Sequence, residues 1–264
     1  MGMILLTNGC SWTWGGGLCF SDEISAKTAI YVEEVKRYST HAGNGYDIFK
    51  ERHEATWPGQ LGKIIKADKV YNLSMGCGSN ERIYRTTLTW LLNQSPEVLK
   101  NTVAVIQITE GSRYEYYDPE QKNDYNENRN AWKMVKTGVV ISGKTNPLVP
   151  AEEFEVAQAK YKLWSNLQNM YSILHVLQAI HSLLNEFNIK HYFWCFTNDI
   201  QKYPKNIKEY MNKTFPFIDK PWELEHRTFW KYQQISSSDG HPSLEGHKQI
   251  AEAIYDSIKF DINK

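Results

Sequence analysis

An α/β fold with a mostly parallel sheet is the class that this 264-residue sequence predicts. Short apolar runs bounded by turn residues recur along the chain, and segments with helical periodicity lie between them. Strands that alternate with helices indicate a parallel sheet covered by helices on both faces. We therefore expect a three-layer α/β/α architecture.

Four segments carry the strand pattern. Each is a short run of apolar residues that ends at a turn or a loop of small residues. The third carries Val103, Val105, Ile106 and Ile108, a pattern typical of a strand buried on both faces. The predicted strands are Met3–Thr7, Lys69–Leu73, Thr102–Thr109 and His191–Phe196.

Helical segments separate these strands. Trp57–Ile65 has its proline near the first turn, where a missing N–H costs little. Asn80 is the predicted cap of the next helix. A long helix is expected from about Glu153 to Phe187, and the last helix begins near Ser243. The apolar stripe of the long helix comprises Trp164, Leu167, Tyr171, Leu174, Leu177, Ile180, Leu184 and Phe187.

Three stretches exceed what this scaffold needs: residues near 21–55, 112–151 and 201–236. Each follows a predicted strand, so each should emerge at the carboxyl end of the sheet, where loops commonly shape substrate sites. The middle stretch is polar and rich in Asn, Tyr and Lys, which fits either a substrate cover or a mobile insertion. No shift in composition marks a boundary, so we expect one domain over residues 1–264.

Composition excludes several classes of function. Lys+Arg and Asp+Glu both number 30, and no long basic run is present, which argues against nucleic-acid binding. Neither a signal peptide nor a membrane span is evident, so we expect a cytoplasmic protein with no membrane partner. The four cysteines form no Cys-x-x-Cys pair, so neither a structural zinc nor a disulfide framework is expected.

Two segments at opposite ends of the chain carry candidate chemistry. Gly9-Cys10-Ser11 directly follows the first strand, a position where α/β folds expose reactive groups. Ser238-Asp239-Gly240-His241-Pro242 directly precedes the last helix. A serine hydroxyl is a weak nucleophile that needs a base within hydrogen-bond reach and a third group to orient that base. Ser11, His241 and Asp239 are residues of those three types.

The order and spacing of these segments, together with Asn72–Ile83 after the second strand, resemble the SGNH (GDSL-type) hydrolase family along nearly the whole chain. The resemblance implies a flavodoxin-like sheet of about five strands. This chain is a divergent member of the pattern, with Gly9-Cys10-Ser11 in place of Gly-Asp-Ser. The third block, Ile108–Gly111, lacks the family's asparagine. Asp239 lies two residues before His241 instead of three.

The resemblance also implies roles for individual residues. Ser11 is the expected nucleophile, His241 the base, and Asp239 the residue that orients the imidazole ring. The backbone N–H of Ser11 and that of either Gly76 or Gly78 would form an oxyanion hole. With the asparagine missing, a side-chain donor would have to be the Thr109 hydroxyl or a protonated Glu110.

Several of these residues have a structural alternative. The Ser11 hydroxyl is suited to capping the first helix, and His241 to packing against the last one. Trp12 and its neighbour Trp14 suit either stacking on a sugar ring or packing in the core. Arg113 suits either a substrate anion or a nearby acidic side chain. His247 lies on the last helix, and its expected role is packing through a face of that helix.

The predicted function is a serine esterase that hydrolyses a small ester, such as an O-acetyl group on a carbohydrate, without a cofactor or metal. A sugar hydroxyl as acceptor would make the same machinery an O-acetyltransferase. The departures from the family pattern support a different alternative, a binding or structural protein on the same scaffold. The sequence does not name the acyl group, the alcohol or the oligomeric state.

Overall fold

The computed structural model describes residues 2–15, 50–76, 78–111, 113–117, 132–136, 155, 166–195, 199–218 and 241–262. The strands are β1 (Ile4–Asn8), β2 (Lys69–Asn72), β3 (Thr102–Ile108), β4 (Arg113–Tyr117), β5 (Trp132–Lys136) and β6 (Lys190–Cys195). The α-helices are α1 (Ser11–Trp14), α2 (Lys50–Ala55), α3 (Trp57–Ile64), α4 (Asn80–Leu92), α5 (Pro96–Lys100), α6 (Asn166–Glu186), α7 (Lys205–Thr214) and α8 (Leu244–Ile262). A 3₁₀ turn covers Asp199–Lys202.

A parallel sheet in the order β2-β1-β3-β6 forms the middle layer. All four predicted strands are confirmed to within a residue or two at each end. A fifth position beside β6 is held by an isolated parallel bridge between Phe193 and Phe217. There the Phe193 N–H donates to the Pro216 oxygen at 2.9 Å, and the Ile218 N–H donates to the Phe193 oxygen at 2.8 Å. The described sheet therefore has four strands and one bridge, where about five strands are predicted.

The strand order reverses beside β1. The chain runs from β1 to β2 on one side, then crosses to β3 on the other side of β1. Ligands of open α/β sheets bind at such a switch point, outside the carboxyl ends of the strands. The fold thus places the segments that follow β1 and β3 next to each other, in the crevice where a site is expected.

Helices cover both faces of the sheet, which confirms the three-layer α/β/α architecture. Helices α4 and α6 cover one face, where Ile83, Leu91 and Ile173 pack with Leu6 and Phe193 of the strands. Helices α3 and α8 cover the other, where the buried apolar residues are Leu5, Trp57, Leu61, Val103, Val105, Tyr192, Trp194, Ile250, Ile254 and Ile258. Alternate residues of each strand enter one core or the other, which explains why the strands are almost wholly apolar.

The long helix differs from its prediction in the face that it buries. Met170 and Ile173 are buried, whereas Leu167 and Tyr171 are 60% and 58% exposed. The buried stripe continues through Leu177, Ile180 and Leu184. The predicted and the observed stripes therefore agree only from the middle of the helix onward. An apolar stripe wider than the contact with the sheet does not specify which of its edges is covered. Trp164 lies outside the described residues, as do residues 156–165.

The predicted cap of α4 is also wrong by one residue. Ser79 occupies the cap, and its Oγ accepts from the Arg82 N–H at 3.2 Å. Asn80 is therefore free to make tertiary contacts with its side chain, which matter at the site below.

The stretch near 112–151 contains an antiparallel pair, β4 with β5, that the sequence interpretation missed. Glu115 of β4 accepts two hydrogen bonds from Arg85 of α4, at 2.8 and 2.9 Å, and its side chain is only 2% exposed. This bidentate ion pair holds β4 against α4. The stretches near 21–55 and 201–236 supply α2 and α7 within their described parts. Of the helices that the structure describes, none is long and apolar enough to cross a membrane.

Candidate active site

The turn after β1 places Ser11 at the start of a helix. The Cys10 carbonyl accepts from the N–H groups of Thr13 and Trp14, both at 3.0 Å, and Gly15 closes α1 in a left-handed conformation with φ 85°. The first N–H groups of a helix have no acceptor within it. Among the described residues none accepts from the Ser11 N–H.

Ser11 and His241 meet across 230 residues of sequence. The Ser11 Oγ lies 2.9 Å from Nε2 of His241, and both residues are half-buried. Ser11 follows the N-cap residue, Cys10, and its hydroxyl contacts the imidazole instead of capping α1. The geometry therefore disfavours one structural alternative, the helix cap for Ser11.

The segment after His241 is anchored to the helix layer. Ser243 accepts through its Oγ from the Gly246 N–H at 3.1 Å, at the start of α8. His247 is fully buried, and its Nδ1 accepts from the Trp57 N–H at 3.1 Å. His247 thus satisfies a donor at the start of α3, in agreement with its predicted packing role.

Asp239 and Ser238 lie outside the described residues, as does Cys77 in the second loop. The orienting role of Asp239 stays a prediction. Cys10, which replaces the aspartate of the family pattern, is fully buried beneath Ser11.

The second loop packs directly on the serine turn. A Cβ at Gly78 would lie 2.8 Å from the Gly9 oxygen and 3.2 Å from the Met75 oxygen, so the close approach of the two backbones requires glycine. The Gly78 N–H already donates to the Met75 oxygen at 3.1 Å. The Gly76 N–H has no acceptor in the described part of the chain. The two glycines therefore differ: Gly78 permits the close backbone contact, and the Gly76 N–H is the one without an acceptor among the described residues.

The segment after β3 offers no accessible side-chain donor of the predicted kind. Thr109 is fully buried, and its backbone N–H and oxygen both pair with the Asn80 amide, at 2.9 and 3.0 Å. Glu110 accepts from the Arg113 Nε at 3.2 Å, so its side chain is engaged by a neighbouring cation. Arg113 therefore takes the predicted alternative, pairing with an acid.

Trp12 is 8% exposed and packs in the core between the sheet, α3 and α8. This burial agrees with the core-packing alternative for Trp12 and not with stacking on a substrate sugar. Trp14 is only half-buried, and its ring lies 3.4 Å from the position of a Cβ on Gly76. Of the two tryptophans, Trp14 is the one beside the second loop.

Sequence reasoning missed the buried amide side chains that hold the site together. Asn8 donates to the Ile83 oxygen, to Thr86 Oγ1 and to Thr87 Oγ1, at 2.8–3.1 Å, while its Oδ1 accepts from the Gly9 N–H. Gln107 in β3 accepts from the serine turn. Both are polar residues near the carboxyl ends of mostly apolar strands, which is a signal that the sequence does contain.

No group of three or more His, Cys, Asp or Glu side chains that could hold a metal occurs among the described residues.

Comparisons with known proteins give a limited result. A model described as a family of unknown function (DUF6071) matches residues 33–132, which is less than half of the chain. No curated protein matches.

Three solved structures align with most of the chain. The structure of TesA is 12% identical, with 97% of this chain and 98% of that chain covered and a TM-score of 0.48. The psychrotrophic esterase EstA from Pseudoalteromonas sp., in a structure inhibited by monoethylphosphonate, is 12% identical with 99% of both chains covered and a TM-score of 0.48. A putative lipolytic protein of the G-D-S-L family from Desulfitobacterium hafniense DCB-2 is 14% identical, with 97% and 99% covered and a TM-score of 0.44. At these identities and scores the likeness carries no information about activity.

Proposed function

We propose that this protein is a serine esterase of the SGNH type, with Ser11 as nucleophile and His241 as base. The observation that carries the proposal is the 2.9 Å separation between Ser11 Oγ and His241 Nε2 at the switch point of the sheet. A nucleophile and its base must lie within hydrogen-bond reach. The sequence resemblance supports the same assignment independently.

The proposed reaction has two halves. His241 Nε2 takes the proton from Ser11 Oγ as that oxygen attacks the ester carbonyl carbon, and the tetrahedral intermediate collapses with loss of the alcohol, which receives the proton. Water then attacks the acyl-serine, giving its proton to His241. The second intermediate releases the carboxylic acid, and the proton returns to Ser11.

Backbone donors are proposed to stabilise the oxyanion. The Ser11 N–H stands at a helix start without a described acceptor, and the Gly76 N–H is likewise uncommitted. We favour Gly76 over Gly78 for this role because the Gly78 N–H is engaged by Met75. Thr109 and Glu110 are not part of the proposal. Asp239 is proposed to orient the His241 ring.

The proposed substrate is a small ester, for example an O-acetyl group on a carbohydrate. The half-buried Trp14 beside the second loop would offer a ring face to a sugar. If a sugar hydroxyl replaces water in the second half-reaction, the product is a transferred acetyl group.

One observation favours a second candidate, a binding protein with impaired chemistry. Residues after β3 supply no accessible side-chain donor among those described, because Thr109 is buried and Glu110 accepts from Arg113. Loss of one oxyanion donor costs on the order of 10²- to 10³-fold in turnover. A protein of this kind would bind the ester and release it unchanged.

Hydrolysis of p-nitrophenyl acetate by the full chain separates the two candidates. The esterase proposal expects turnover that Ser11→Ala abolishes, while Ser257→Ala, which alters an exposed serine of α8, retains it. Turnover that survives Ser11→Ala would contradict the proposal. Absence of turnover in the unmodified protein would favour the binding protein.

A further inference from the structure

Three donors of the serine turn converge on one buried oxygen. The Oε1 of Gln107 accepts from the Cys10 N–H at 3.1 Å, from the Cys10 S–H at 3.4 Å and from the Thr13 hydroxyl at 2.6 Å. Cys10 immediately precedes Ser11, and Thr13 follows it by two residues. The oxygen thus holds the turn on both sides of the nucleophile.

The orientation of this amide follows from its partners. A backbone N–H can only donate, so the atom that faces Cys10 must be the amide oxygen and not the nitrogen. The Nε2 of Gln107 is then left buried, with no hydrogen-bond partner among the described residues. Gln107 is fully buried in the face of β3 that otherwise carries Val103 and Val105. Burying an amide whose N–H groups have no described partner costs free energy. The contribution of Gln107 at this position is therefore the hydrogen bonds that its oxygen accepts.

Close packing reinforces this contact. A Cβ at Gly9 would lie 2.6 Å from Gln107 Oε1 and 2.3 Å from Thr13 Oγ1. The turn can close onto Gln107 only because residue 9 has no side chain. The missing side chain at Gly9 is therefore required for the hydrogen bond between Thr13 and Gln107.

We propose that Gln107 is a positioning residue for Ser11. It does not touch the substrate. By fixing Cys10 and Thr13 it sets the backbone of Ser11, and so the distance from Oγ to His241 and the direction of the Ser11 N–H. The effect on turnover rests on the proposed esterase function, whereas the effect on the Ser11–His241 contact does not.

A cycle of variants tests this role. Gln107→Met keeps the volume and removes the acceptor, and Thr13→Ala removes one of the three donors. We expect Gln107→Met to lower kcat by about 10- to 100-fold with little change in KM, because small misplacements of reacting groups cost that much. Thr13→Ala should lower kcat severalfold in the parent protein and not at all in the Gln107→Met background. The matched control is Val105→Ala, a fully buried residue on the same face of the same strand, which should lower Tm without lowering kcat per folded molecule.

A spectroscopic measurement keeps the inference independent of turnover. The ¹⁵N chemical shift of His241 Nε2 at a fixed pH reports its contact with the Ser11 hydroxyl. It should change in Ser11→Ala and in Gln107→Met, and stay at the parent value in Val105→Ala. A parent protein with no activity would refute the esterase and leave this signal to decide on Gln107. A Gln107→Met protein with parent kcat and a parent Nε2 shift would overturn the proposal.

Discussion

Two histidine hydrogen bonds of nearly equal length lie at opposite ends of the same sheet. His241 Nε2 is 2.9 Å from Ser11 Oγ at the carboxyl end, and His191 Nε2 is 2.8 Å from His181 Nδ1 near the start of β6. The first joins an imidazole to a hydroxyl in a half-buried crevice. The second joins two imidazoles between β6 and α6. We propose that the imidazole serves proton transfer in the first setting, whereas in the second it packs between a strand and a helix.

The proton positions at the second pair are fixed by its neighbours. His191 Nδ1 must donate to the Ile189 oxygen at 2.8 Å. Because burial lowers the pKa of His191, we assign the neutral ring, in which Nε2 is the acceptor and His181 Nδ1 the donor. His181 Nε2 then accepts from the Asn185 amide at 3.1 Å. Both rings are neutral in this arrangement, and Phe193 and Phe215 pack against them. A further proton on either ring would break one of the hydrogen bonds between His191, His181 and Asn185.

The largest expected contrast comes from removing each histidine. His241→Ala should lower kcat on the order of 10⁴- to 10⁶-fold, because the nucleophile loses its base. The Tm should move by only a few degrees, since the residue is half-buried in a loop. Steady-state kinetics and thermal unfolding of the same sample check both parts. A large fall in the Tm of His241→Ala together with residual turnover would show that His241, like His191, contributes mainly to stability.

A pair of glycine variants sharpens the contrast at the carboxyl end. Gly78→Ala would press a methyl group on two backbone oxygens beside Ser11, and we expect a loss of about 10²-fold in kcat. Gly62→Ala provides the matched overpacking away from the site, because its Cβ would meet Val70 Cγ2 at 2.3 Å. That variant should lose about 1–3 kcal/mol of unfolding free energy.

Denaturant unfolding and kcat per folded molecule distinguish these outcomes. Equal kinetic losses in Gly78→Ala and Gly62→Ala would show that stability alone governs turnover.

At the amino end, His191→Ala should affect stability and spare chemistry. The substitution leaves a buried cavity and removes the acceptor for His181, so we expect about 2–4 kcal/mol less unfolding free energy. The kcat of the folded fraction should equal that of the parent protein. Chemical denaturation followed by an activity assay on the folded population provides the measurement, and a kinetic defect would contradict the assigned role.

The smallest expected effect is a pH dependence of stability. Burial lowers the pKa of His181 below its usual 6.5, and burial together with the charge of His181 lowers the pKa of His191, although the bond to Ile189 opposes this. The unfolded chain therefore binds protons first as the pH falls. The stabilisation is complete above pH 6.5 and is lost as the pH drops through the lowered pKa values. The urea midpoint of unfolding should decrease as the pH is lowered below 6.5, and His191→Phe should make this decrease smaller. A pH dependence of the midpoint that is unchanged in His191→Phe would contradict the role given to the His181–His191 pair.

Local patterns in the sequence predicted the central strands and the two residues that meet at the candidate site. The four central strands follow from apolar runs between turns, and Ser11 and His241 follow from motifs beside predicted element ends. Their meeting depends on parallel strand order, which the alternation of helices and strands also predicts.

What the sequence did not predict depends on tertiary register. Arg113–Tyr117 alternates polar and aromatic residues without a core-facing pattern. The sequence therefore did not predict its pairing with β5 or the ion pair between Glu115 and Arg85. Asn80 looked like a cap, and only the packing of the second loop on β3 shows that it binds Thr109. Gln107 and Trp12 likewise acquire their roles from neighbours distant in sequence.

The central claim, that Ser11 is a nucleophile activated by His241, is tested most directly by covalent labelling. The intact protein is treated with a fluorophosphonate, and the adduct is located by mass spectrometry of its peptides. We predict one adduct, on Ser11, that forms much more slowly in His241→Ala and not at all in Ser11→Ala. An unlabelled parent protein, or an adduct on any other residue, would contradict the claim.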